Sequence, residues 1–321
     1  MKFTMSRTLC MVFCSAVALS PSFAQASDAD NVHLASYSQD VGASERVKAS
    51  GLLRVLSQEA ANAACHVGNG ISVDEGRDLL TEVKGKFDLT LDALEFGNPT
   101  MNINGAEKRR KTIEKISAVR SAWDRMKDAS YVFLENADNA EALGVVKLEN
   151  EAVLEAAALL TNEVGGAYSN PAELLQTDVL LLDFTSRQAM QTQKMGKLAC
   201  AIWAGDRNDK TIDDLTATMG LYDATLNALI NGMPAMGILA APTPEISDEL
   251  KNASIAWKKI EGELKVVLAS AEIDDGMKST LFSELNDAMR HMLKIEQLYV
   301  VYAKHKYIDT TDPDAAKALT D

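Results

Sequence analysis

Phe87-Asp88-Leu89-Thr90-Leu91-Asp92-Ala93-Leu94 returns later in the chain as Tyr222-Asp223-Ala224-Thr225-Leu226-Asn227-Ala228-Leu229. The two segments stand about 135 residues apart, and self-similarity at a fixed spacing marks a structural repeat. Working outward without a gap, Ser57-Gln58 falls on Thr192-Gln193, Ala64-Cys65 on Ala199-Cys200, Gly70 on Gly205 and Gly97 on Gly232. About 15 of roughly 48 aligned positions are identical, which reads as two copies of one unit. After a one-residue deletion, Ala122-Trp123 falls on Ala256-Trp257 and Leu134 on Leu268, so the third helical segment repeats as well.

Each copy reads as four helices. In the first, helix one spans Glu45 to His66. Ser72-Val73-Asp74-Glu75 has the form of a capping box opening helix two, which runs to Gly97. Helix three covers Glu107 to Leu134, and helix four covers Glu141 to Val164, stopping at Gly165-Gly166. In the second copy, Asn170-Pro171-Ala172-Glu173 combines an N-cap, a proline at the first helical position and an early carboxylate, a start signal for a helix reaching Trp203. Helix two runs from Thr211 to Asn231, helix three starts at Thr243-Pro244, and helix four spans Asp275 to Tyr307. Along helix three of the second copy, Ile246, Leu250, Ala253, Trp257, Ile260, Leu264 and Val267 alternate spacings of four and three. That is a narrow apolar seam for neighbouring helices. Ile116, Val119, Trp123, Met126, Ser130 and Phe133 repeat it. The expectation is an all-α protein of two tandem antiparallel four-helix bundles, with domains at 45–166 and 170–308.

The ends of the chain read differently. Lys2 and Arg7 precede an apolar run from Leu9 to Leu19 that is too short to span a membrane. Small residues at Ala24 and Ala26 then fit a cleavage site, so 1–26 reads as a signal peptide and the mature protein as periplasmic. Residues 27–44 read as a flexible segment and 309–321 as an acidic tail. The net charge is -14. Loss of Lys2 and Arg7 makes it about two units more negative, which disfavours nucleic acid and anionic lipid as partners. Nothing after the leader has the roughly 18 uninterrupted apolar residues of a membrane span.

Helix one of each copy carries a further pattern: Gly51-Leu52-Leu53-Arg54-Val55-Leu56-Ser57-Gln58 in the first and Ser186-Arg187-Gln188-Ala189-Met190-Gln191-Thr192-Gln193-Lys194-Met195 in the second. These resemble the opening helix of the NarX-like/PilJ-like sensor domains, whose pattern is close to Gly-x-x-Arg-Met-x-Ser-Gln-Arg-Met-Ala. The family includes input domains of nitrate/nitrite sensor kinases and the N-terminal domain of type IV pili methyl-accepting chemotaxis transducers. The resemblance implies an antiparallel four-helix bundle, and a nitrate or nitrite ion held by motif arginines facing each other across a dimer interface. By position that arginine is Arg54 in the first copy and Ala189 in the second. A planar guanidinium suits a planar oxyanion. Arg187 lies about 200° round the helix from position 189 and belongs to another face. The ligand-binding candidates are therefore Arg54, Gln58 and Gln193, with a surface or interface arginine paired to a carboxylate as the other reading of Arg54.

Two stripes run along helix one. Leu53, Leu56, Ala60, Ala63 and Val67 suit the bundle core. Arg54, Gln58, Ala61 and Cys65, matched by Ala189, Gln193, Gly196 and Cys200, suit close approach of a second helix. If the two helices pair side by side and in parallel, Cys65 and Cys200 meet at equal height and form an inter-copy disulfide. If the bundles stack end to end, they stay separate buried thiols. No haem, zinc, phosphate-loop or nucleophile motif is present, and His66 beside Cys65 reads as a core or solvated histidine. No catalytic residue, metal or cofactor is expected. The functional expectation is a non-enzymatic binding or sensing module for nitrate or nitrite, working with a membrane receptor or transporter. The alternative is a structural or interaction module that has lost the ligand.

Overall fold

A computed structural model describes residues 41–170, 174–269 and 273–305. The expected signal peptide, most of the 27–44 segment, the acidic tail, Lys306-Tyr307 and Pro171-Ala172-Glu173 lie outside the described residues. Among the described residues the elements are α1 (Ala43–Gly68), α2 (Val73–Phe96), α3 (Arg110–Glu135), α4 (Ala140–Tyr168), α5 (Gln176–Trp203), α6 (Asp209–Asn231), α7 (Pro244–Leu268) and α8 (Asp275–His305), with 3-10 turns at Pro99–Met101 and Pro234–Met236.

Helices α1 to α4 form one antiparallel bundle and α5 to α8 the other. The same side chains fix both. Trp123 on α3 is fully buried, stacks on Phe87 at 4.0 Å and donates its Nε1–H to Asp88 on α2. Trp257 on α7 packs on Tyr222 and donates to Asp223 on α6. The carboxylate satisfies the one polar atom of a ring that is otherwise core. The seams on α3 and α7 are buried along their length, from Ile116 to Phe133 and from Ile246 to Val267. After α2 and α6, the chain turns through matching hairpins, in which Asn98 bridges to Ile103 and Met233 to Ile238.

The most extensive helix pairing joins the bundles: α1 lies along α5. Both helices are buried on nearly every side, from Ala43 to Val67 and from Val179 to Ile202, whereas the six outer helices bury one stripe each. A helix enclosed all round keeps polar residues only where they find partners, and those residues make up the site below.

Four local expectations are corrected. Ser72 precedes α2 with φ 46° and makes no side-chain cap, so the capping box is not formed, and Glu75 instead accepts from Asn286 on α8. Gly165-Gly166 do not end α4. The helix continues to Tyr168, whose hydroxyl donates to Glu107 while Arg109 lies over its ring. The helix expected from Asn170 begins at Gln176. At the start of α1, Ala43 and Ser44, read as flexible, are helical and buried. Elsewhere the start signals work as expected: Asn139, Asn208 and Thr243 accept from Ala142, Thr211 and Ile246, satisfying backbone N–H groups that lack helical partners.

Candidate functional site

The seam between α1 and α5 is parallel and in register. Its closest approaches are at two glycines. A Cβ on Gly51 would stand 2.6 Å from Ser186 Oγ, and one on Gly196 would stand 2.7 Å from the Asn62 amide. A larger residue at either place would displace the Ser186 or the Asn62 side chain. At the far end the structure joins Cys65 to Cys200, with S–S 2.16 Å and Cα–Cα 6.2 Å. The bundles are side by side, and the end-to-end arrangement is not adopted.

Arg54 points from α1 into this seam and is 2 % exposed. Its Nη2 donates to Ser186 Oγ at 2.6 Å and stands 2.8 Å from Asp183 Oδ1, both on α5. Asp183 is 17 % exposed and also accepts from Arg187 Nε through its other oxygen, so one carboxylate sits between two guanidinium groups. Burial lowers the proton affinity of Arg54, and Asp183 works against that. Ala189, at the position matching Arg54, is fully buried and brings no second cation. Arg187 faces Asp183 rather than the seam, as its place on the helix requires.

Gln58 and Gln193 lie in a polar layer deeper along the seam, each bound into its own bundle. Gln58 Nε2 donates to Asn150 Oδ1 on α4, and Gln193 Nε2 donates to Asn286 Oδ1 on α8. The two pairs are equivalent by the repeat. Each is reached from the opposite copy, but by different chemistry. Asn62 on α1 donates to Gln193 Oε1 at 2.9 Å. Lys197, at the matching place on α5, donates to Asn150 Oδ1 at 2.8 Å and pairs with Glu151. The layer is thus a pseudo-twofold arrangement with a neutral amide on one side and a charge on the other.

His66 is core: it is fully buried, its Nδ1 pairs with the Asn62 carbonyl, it stacks on Phe282 at 4.1 Å, and burial pushes it down to about 4. Among the described residues no three His, Cys, Asp or Glu side chains converge as metal ligands would, and no helix is long and apolar enough to cross a membrane.

Sequence reasoning placed Arg54 but missed its partners. Asp183 and Arg187 stand four apart on one helix, a visible ion-pair spacing. Asp183 lies two residues before Thr185-Ser186, the start of the motif segment. Glu296 was also missed. It occupies an otherwise apolar stripe on α8 between Met292 and Tyr299, fully buried, and neither carboxylate oxygen has a hydrogen-bond donor among the described residues. A carboxylate inside an apolar period is the signal that would have found it.

The family model described as type IV pili methyl-accepting chemotaxis transducer N-term matches residues 36–147 and again 182–281, one match in each copy. No curated protein matches the chain.

Proposed function

From its membership of the type IV pili methyl-accepting chemotaxis transducer N-terminal family, to which this chain belongs, we propose that it is a non-catalytic, periplasmic sensory module whose two copies stand in for the two subunits of a dimer. A membrane receptor or transporter would read changes in their pairing. In this reading the Arg54 locus no longer takes a free anion, because the chain supplies its own. The observation that carries this is the Asp183 carboxylate at 2.8 Å from Arg54, on the helix where a second subunit's motif arginine would lie. An incoming oxyanion would have to displace a carboxylate that is anchored by Arg187 as well. The single arginine offers half the charge that two facing arginines would.

Nitrate or nitrite binding is the second reading. It is favoured by one observation: Arg54 Nε is buried with no acceptor among the described residues, and so has a donor to spare. Calorimetric titration with sodium nitrate and sodium nitrite separates the two. The leading reading expects no saturable heat at millimolar anion in the wild type, and weak binding that appears when Asp183→Asn uncovers Arg54. Saturable wild-type binding that Arg54→Gln abolishes would overturn it in favour of the second reading.

A further inference from the structure

We propose that Glu296 is a proton-controlled competitor of Asp183 for Arg54, so that pH sets how α1 is tied to α5 and α8. This stands independently of the ligand reading above.

The geometry presents two carboxylates and one guanidinium. Arg54 is bound through Nη2 to α5, while its Nε is buried with no acceptor among the described residues. Glu296 on α8 is 0 % exposed, and both its oxygens are buried acceptors with no donor among the described residues. Native interiors rarely leave such groups unpaired, and each pairing that is missed is costly. The charged groups acting on Glu296 are Lys48 and Arg54 from α1 and Asp183 from α5. Lys48 is engaged by Gln297, the next residue on α8. The third helix packed on α8 is α7, which adds no charge to that set, since its Glu249 is held by His291 and Lys294.

The fold does not require an acid here. Asn150 and Asn286 are equivalent, and ten positions beyond them stand Leu160 and Glu296. Leu160 is fully buried in the first bundle and makes an ordinary core contact. A carboxyl group has therefore been placed where the repeat elsewhere uses leucine.

Burial pushes Glu296 up to about 8. Below that pH it is neutral, and among the described residues Asp183 is the anion that acts on Arg54. Above it the proton passes to solvent and leaves a buried carboxylate that needs a counter-charge. Arg54, one of the two cations acting on Glu296, has in Nε a buried donor without an acceptor among the described residues. Asp183 is partly exposed and keeps Arg187, so it tolerates release. The inter-copy tie then moves from α1–α5 towards α1–α8.

The test is to follow the Glu296 carboxyl carbon by NMR in ¹³C-glutamate protein, alongside urea unfolding from pH 5.5 to 9.5. The variants are Glu296→Gln, Glu296→Leu and Asp183→Asn. The wild-type folding constant relative to Glu296→Gln should fall up to tenfold per pH unit between about 5 and 8 and then level off. Glu296→Leu, the side chain of the other copy, should lack that pH dependence. The Glu296 titration should move to lower pH in Asp183→Asn, because one negative neighbour is gone and Arg54 is freed. A Glu296 already ionised at pH 6 would overturn the proposal. So would a titration that Asp183→Asn leaves in place, or wild-type stability that tracks Glu296→Gln across the range.

Discussion

Replacing both Cys65 and Cys200 by alanine removes the cross-link between α1 and α5, and its effect can be worked from chain length. The bond closes a loop of 135 residues. With ΔS of about -2.1 - 1.5R ln n cal/mol/K, the unfolded chain regains entropy worth about 5 kcal/mol at 25 °C. The folded state loses little contact area, because Cys65 and Cys200 are flanked by Ala64, Ala61 and Ala199 in a seam already closed by small residues. The Arg54–Asp183 and Lys197–Glu151 pairs remain. The assay is urea unfolding of the oxidised wild type and the double variant, followed by circular dichroism. With an m of about 3 kcal/mol/M, the midpoint should fall by about 1.5 M. Both proteins should unfold in one transition, because α1 and α5 are each enclosed by elements of both bundles. The wild type in reductant should converge on the variant. A midpoint shift below about 0.3 M would refute the argument that this bond restrains the unfolded chain. Two alkylatable thiols in the unreduced, denatured protein would refute the bond itself.

Gly196→Val should cost about 1–3 kcal/mol by driving the Asn62 amide from its place in the seam and from Gln193. Gly166→Ala, where an added Cβ meets nothing within 4 Å, should gain about 0.5–1 kcal/mol, and paired thermal melts compare the two. Arg54→Ala should destabilise by about 3 kcal/mol, measured by urea unfolding at pH 7, because it leaves Asp183 and Ser186 facing a void in the seam. His66 is held neutral down to about 4 when folded and titrates near 6.5 when unfolded. The unfolded state therefore binds more protons in that interval, and stability falls as pH drops from about 6.5 to about 4, by about 3 kcal/mol in all. Acid titrations of wild type and His66→Phe should diverge over that window, and parallel curves would exclude His66 as the cause.

The repeat, the helix count and the seams were legible because each rests on a regularity of the chain: a fixed spacing, a period near 3.6, an alanine-tryptophan pair that recurs. The boundaries that failed had local signals overruled by tertiary contacts. Gly165-Gly166 stay helical where α4 lies against Val179 and Tyr168 is pinned to Glu107. Ser72 gives up its capping geometry at a left-handed turn. In the site, Arg54 was legible because a resemblance pointed to it, and the small-residue stripes gave the parallel seam as one of two arrangements. The partners were not legible. Which carboxylate reaches Arg54 depends on the stagger of α1 against α5, and pattern alone does not give a stagger to within one turn. Glu296 was lost for a different reason, among the many acids of an acidic chain, where only its place within an apolar stripe set it apart.

The amide of Asn62, standing where the other copy carries the ammonium of Lys197, has a consequence for how such an interface evolves. In a homodimer every substitution on the twofold face occurs twice, once in each subunit. A lysine introduced there would appear on both sides, and so would an arginine. Fusing the halves into one chain removes that constraint, so a charge can arise on one side while its complement arises on the other. Arg54 in one copy against Ala189 in the other, and Leu160 against Glu296, are differences open only to halves that are encoded separately. The chain has thereby gained an orientation: one half can become the responsive member while the other becomes its fixed reference.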